Sequence, residues 1–181
     1  MSREVDDKEH ALRALLDDLT AELPRPLLRE RVMRAALGVD RFPADLRARL
    51  QALFELDAAQ TVDLVGRMND AASWQAGPVP GLSLFAATPM EMPAGPLPDG
   101  PTRLIVRLEP GLPFPMHAHH GDEHMLVLEG GFVTDDGKRV GAGEMLSSTR
   151  DSEHAFLVDE DDECIAAVKL TDGIHLVASA R

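Results

Sequence analysis

The stretch Gly111-Leu-Pro-Phe-Pro-Met-His117-Ala-His119-His-Gly-Asp-Glu123-His-Met-Leu-Val-Leu-Glu-Gly130 decides how this chain is read. His117 and His119 are two apart, so on a β-strand their side chains leave the same face. Glu123 has the same parity but stands beyond a turn at His120-Gly121-Asp122. It opens the next strand, whose odd positions Met125 and Val127 share its face. A lone histidine, His154, follows further on. Imidazole nitrogen and carboxylate oxygen are ligands for zinc, iron, manganese or nickel, and four such groups on one face fill most of a coordination sphere. The leading expectation is therefore a metal site made of His117, His119, Glu123 and His154.

Outward from that stretch, the C-terminal half reads as short alternating strands. Thr102 to Glu109 places Leu104, Val106 and Leu108 on one face. Met125 to Leu128, Phe132-Val133, Glu144 to Leu146, Ala155 to Val158, Ile165 to Leu170 and Ile174 to Val177 continue the series, and Asp135-Asp136-Gly137 suits a hairpin turn. Prolines concentrate from Pro78 to Pro115, which makes Pro78 to Pro101 a mix of strand and loop rather than helix. Many short strands with closely spaced turns predict a sandwich or barrel.

The first 74 residues have a helical rhythm instead. Leu12, Leu15, Leu16, Leu19 and Leu23 form one apolar stripe, ended by Pro24 and Pro26. Leu27 to Leu37 reads as a second helix closed by Gly38. Pro43 suits the first turn of a third, through Leu46, Leu50, Leu53 and Phe54. Asp57-Ala-Ala-Gln60 has the form of a capping box opening a fourth, which ends near Met68-Asn69. The expected organisation is a helical N-terminal region, 1–74, followed by a β domain, 78–181.

The spacing of glycine, five residues, His-x-His, three residues, Glu, six residues and Gly resembles the first motif of the cupin superfamily, matched here by Gly111, His117, His119, Glu123 and Gly130. The second cupin motif is looser: Gly141-Ala-Gly143 replaces the usual Pro-x-Gly, and His154 follows Gly143 by eleven residues. From Met125 through Cys164 to Leu170, the chain resembles the ChrR-like branch. That branch includes the C-terminal cupin of zinc-dependent anti-sigma factors and some small iron dioxygenases. The resemblance covers roughly residues 78 to 171. It implies a jelly-roll barrel behind a small α-helical region, a divalent ion on the four residues with zinc expected first, a homodimer, and a sigma factor as protein partner. The N-terminal region departs from the family. It has no cysteine and only His10, so the helical-domain zinc site of those anti-sigma factors is absent.

Composition narrows the classes further. A net charge of −13 argues against a general nucleic-acid or anionic-membrane binder. A single cysteine cannot form an internal disulfide. The polar start lacks a signal-peptide core, and no run reaches the roughly 18 apolar residues of a membrane helix. A cytoplasmic protein is the expectation.

Other residues carry blander readings. His124 has the wrong parity to face a metal, His120 belongs to the rim of the site, and His175 is structural. Cys164 is a small core residue. Met90, Met92, Met116, Met125 and Met145 are expected to fill or line the barrel. Trp74, the only tryptophan, seals the junction of the two halves. Arginines Arg25, Arg29, Arg31, Arg34, Arg41, Arg47 and Arg49 read as a solvated face. Two functions follow: a metal-binding regulatory or sensor cupin related to ChrR-type anti-sigma factors, with a small-molecule ligand in the barrel, or a ferrous cupin dioxygenase acting on a small apolar or aromatic ketone.

Overall fold

The structure, a computed structural model, describes residues 41–87 and 100–177. The helices expected over Leu12–Leu23 and Leu27–Leu37, with Arg25, Arg29, Arg31, Arg34, Met90 and Met92, lie outside the described residues. Every element below belongs to the compact unit that begins at Ala44.

Two helices come first. Helix α1, Ala44–Phe54, buries Leu46, Leu50, Leu53 and Phe54. Helix α2, Ala58–Asn69, opens on the expected capping box: the Asp57 carboxylate accepts from Gln60 N at 2.8 Å and the Asp57 N–H donates to the Gln60 side chain at 2.9 Å. Its buried stripe is Thr61, Leu64 and Met68. Among the described residues, no helix is long and apolar enough to cross a membrane.

The rest is β-structure: β1 Gln75–Ala76, β2 Leu82–Ala86, β3 Thr102–Leu108, β4 Pro113–His119, β5 Glu123–Glu129, β6 Gly131–Thr134, β7 Arg139–Gly141, β8 Met145–Ser148, β9 Glu153–Val158, β10 Cys164–Leu170 and β11 Ile174–Leu176. They build two antiparallel sheets, one ordered β1-β2-β3-β10-β5-β8 and the other β11-β4-β9-β6-β7. From β3 onward the chain changes sheet at every connection except the β6–β7 hairpin at Asp135-Asp136-Gly137. This is jelly-roll connectivity, with two facing sheets rather than one closed ring of strands.

The first sheet is buried on both faces. Its inner face contributes Leu84, Leu104, Val106, Val127, Ala166 and Val168 to the core between the sheets. The alternate positions Phe85, Ile105, Leu126, Ile165 and Ala167 are equally buried, because α1 lies against β5 and β10 on the outside. Polar ties pin the helices there. Glu55, which ends α1 in a left-handed conformation, bridges Arg103 of β3 at 2.7 Å and Lys169 of β10 at 2.8 Å. Arg67 of α2 donates to Ala86 O at 2.9 Å and lies over the Phe85 ring. Trp74 donates to Met68 O at 3.2 Å, packs edge-on to Phe85 and carries the Arg107 guanidinium on its face at 4.0 Å.

Candidate metal centre

His117 and His119 close β4, Glu123 opens β5 and His154 lies on β9 directly opposite His117 in the ladder. The His120-Gly121-Asp122 turn is not a hairpin within one sheet. It carries the chain from the five-stranded sheet to the six-stranded one. The expectation of four groups on one face is corrected accordingly: three imidazoles project from one sheet and the carboxylate meets them from the other. Parity predicted the inward direction, but period alone cannot say to which sheet a strand belongs. A register irregularity between Phe114 and His117 also turns Phe114 inward, beside His117 at 5.1 Å between rings.

The potential ligand atoms of the four residues all lie within 4.8 Å of one another. His117, His119 and Glu123 are buried, and the His154 side chain is 12% exposed. Each imidazole is held from behind through Nδ1. That of His117 donates to Pro115 O at 3.0 Å, that of His119 to Ser152 O at 3.1 Å, and that of His154 meets the Ser148 hydroxyl at 3.2 Å. A carbonyl oxygen only accepts, so Nδ1 of His117 and His119 carries the hydrogen, and Nε2 of the neutral ring presents a lone pair. Ser148 is itself the ladder partner of Glu123, so β5 and β8 together position the carboxylate and one imidazole.

This arrangement is incomplete as a hydrogen-bond network. His119 Nε2 stands 3.2 Å from Glu123 Oε2, which without a proton on the ring sets two acceptors face to face. His154 Nε2 is buried with no hydrogen-bond partner and lies 3.8 Å from the same oxygen. Such orphaned atoms are costly in a protein interior. Burial lowers the pKa of His117 to about 4 and also lowers that of His154. Burial opposes charge on His119 as well, but the hydrogen bond and charge of Glu123 outweigh it and raise its pKa. A cation between the four residues would satisfy all of these groups at once. Three Nε2 atoms and a carboxylate oxygen fit zinc, iron, manganese or nickel equally well as donors.

A cavity of about 540 Å³ adjoins the centre, with His117 and Glu123 in its wall. Leu, Val and Ile side chains dominate the rest. This corrects the expectation of a methionine lining: Met125 alone of the described methionines faces the cavity, while Met116 and Met145 do not. His175, expected to be structural, stands on β11 at the cavity with exposed Leu176 and meets His120 Nε2 through its Nδ1 at 2.9 Å. No sequence spacing signals that placement, since β11 reaches the site by pairing with β4. His124 turns away to Ser147 Oγ at 3.0 Å. Cys164 is fully buried, and burial with Asp159 and Glu163 nearby pushes its thiol up to about 12.

A family model described as the ChrR cupin-like domain matches residues 70–172. No curated protein matches the chain. Among solved structures, the chain is similar to a protein of unknown function with a cupin-like fold from Ralstonia eutropha JMP134, at 22% identity over 55% of this chain and 60% of that one, TM-score 0.45. This chain thus covers about three fifths of that relative. It is also similar to KdgF from a Halomonas species, at 20% identity over 57% of this chain and 91% of that one, TM-score 0.45. A third likeness is to the complex of Rhodobacter sphaeroides SigE with the anti-sigma ChrR, at 21% identity over 92% of this chain and 80% of that one, TM-score 0.48.

Proposed function

This chain belongs to the ChrR cupin-like domain family, and on that premise we propose that it is a metal-binding regulatory cupin of the cytoplasm. His117, His119, Glu123 and His154 hold a divalent ion, zinc first among the candidates. The helical region 1–74 engages a protein partner, with a sigma factor the first to test, and the cupin domain 78–181 forms the sensing and dimerising half. The observation that carries this reading is the convergence of four donors around His154 Nε2, an atom with no other partner. The bound ion supplies a Lewis-acidic centre that ties the two sheets together. Four protein ligands with every Nδ1 braced from behind suit a closed, structural or sensory ion.

The test is metal content by inductively coupled plasma mass spectrometry on untagged protein, beside a His117→Ala/His119→Ala double variant. The variant subtracts ions held by the acidic loop Asp159-Glu-Asp-Asp-Glu163. Near-stoichiometric zinc lost in the variant supports the reading; metal retained equally by both sinks the site. A pull-down with the host's sigma factors then tests the partner, and failure to retain any of them removes the anti-sigma role.

One observation favours a second reading. The cavity beside the centre is large and apolar enough for a small organic substrate. A ferrous dioxygenase acting on a small apolar or aromatic ketone would use it, with iron supplying oxygen chemistry at the same four residues. Oxygen uptake by iron-loaded protein with a panel of diketones and hydroxyaryl ketones decides it. No uptake removes the enzyme reading.

A further inference from the structure

The cavity is chemically lopsided. One pole is the candidate metal centre, reached through His117 and Glu123. Among the described residues no lysine, arginine or aspartate stands in its wall, and the only other polar side chain there is His175. The remainder is aliphatic, with Leu84, Leu104, Val106 and Val168 from the covered sheet. Phe114 and Phe156 also reach it, but their rings stack on each other at 4.8 Å with 3° between planes. The walls therefore favour an alkyl chain over a flat ring.

The charge of the pole follows from its donors. Ligating imidazoles are neutral and Glu123 carries one negative charge, so a divalent ion leaves the loaded centre with one net positive charge. A net charge facing an apolar chamber is costly unless paired. A neutral occupant leaves it unpaired. A dianion or polyol brings polar groups that find no partner along the walls.

Resting on the metal-binding reading above, we infer that the cavity takes an apolar monoanion, an alkyl chain with one carboxylate-like head directed at the centre beside His117 and Glu123. The chain extends toward β11, where Leu176 lines the cavity and is 49% exposed. Without the ion the pole loses that positive charge and no longer pairs the head group.

The experiment uses the full chain loaded with zinc, its metal content measured in every sample. Isothermal titration and thermal shift compare octanoate with 1-octanol, octylamine and suberate. Octanoate binds zinc-loaded protein and not the metal-free form, 1-octanol binds about tenfold more weakly or worse, and octylamine and suberate give no shift. Val106→Phe fills the chamber and abolishes octanoate binding with zinc retained. Leu176→Asp, at a half-exposed position that folding tolerates, puts a carboxylate in the wall and weakens octanoate through repulsion. Equal binding of octanoate and 1-octanol overturns the head-group assignment. Octanoate affinity unchanged in both variants places the binding elsewhere and overturns the inference. Zinc bound normally with no octanoate uptake overturns it while leaving the metal reading standing, whereas absence of zinc binding overturns both.

Discussion

Gly111 and Gly130 bracket the first motif and share a left-handed backbone, with φ of +69° and +68°. A methyl group at the two positions should have very different consequences. An added Cβ at Gly111 meets nothing within 4 Å, so Gly111→Ala costs only the left-handed penalty of about 1–2 kcal/mol, offset in part by a stiffer unfolded chain. At Gly130 the same atom lies 2.1 Å from Glu163 O, 3.0 Å from Glu163 C and 3.2 Å from Cys164 Cα. Those atoms are backbone and cannot swing aside. Relief requires shifting the start of β10, which is paired on both sides by β3 and β5 and is irregular at Ile165/Ala166. Overpacking of that kind adds about 1–3 kcal/mol to the conformational penalty, for a total of about 2–5 kcal/mol. For a chain of this length 1 kcal/mol moves Tm by about 2–4 °C, so Gly111→Ala should lose a few degrees and Gly130→Ala about 4–20 °C. Scanning calorimetry on the two variants and the parent checks this. Gly130→Ala found only as insoluble protein beside a soluble Gly111→Ala meets the expectation. Equal losses, or a larger loss at Gly111, would refute the reasoning that close backbone approach rather than φ alone fixes the second glycine.

Four other outcomes are expected. Asp57→Ala removes the carboxylate arm of the capping box and should cost about 1 kcal/mol in urea unfolding, while Asp63→Ala on the same helix costs less. Glu123→Gln should lower zinc affinity sharply in competition with a chelator, because it removes the only anionic donor among the four; unchanged affinity would take Glu123 out of the site. In metal-free protein His117 has a pKa of about 4 against about 6.5 unfolded, so the unfolded state takes up the proton first as pH falls. Stability should therefore drop by about 2–3 kcal/mol between pH 6.5 and 4, with His154 acting in the same sense and His119 in the opposite one; a His117→Gln variant with the same acid sensitivity would assign the effect elsewhere. Cys164, fully buried with its thiol pushed up to about 12, should resist a thiol-reactive dye in native protein at pH 8 and react on denaturation.

Much of the fold is legible from local pattern. Asp57 and Gln60 announce the start of α2 three residues apart, and the alternation Leu104, Val106, Leu108 gives both β3 and its inner face. The four donors stand out because their residue types and spacing are unusual together, and they do converge. What local pattern cannot carry is pairing at a distance. Ile105 and Ala167 are as buried as their inward neighbours only because a helix from far earlier in the chain covers them. The turn at His120-Gly121-Asp122 is legible as a turn, but nothing in three residues distinguishes a return within one sheet from a crossing to the other. His175 reaches the cavity by pairing with β4, an interaction with no local signal.

That crossing has a mechanical consequence. An ion held by His117, His119 and His154 on one leaf and by Glu123 on the other would be a rivet through two layers, set beside the crossings that join β4 to β5 and β8 to β9. Ligand distances around such an ion tolerate only about 0.2 Å. Such a rivet would gauge the gap between the leaves, and whatever wedged them apart, whether an occupant of the chamber or traction on the helices fastened to β3 and β10, would loosen its grip on the ion.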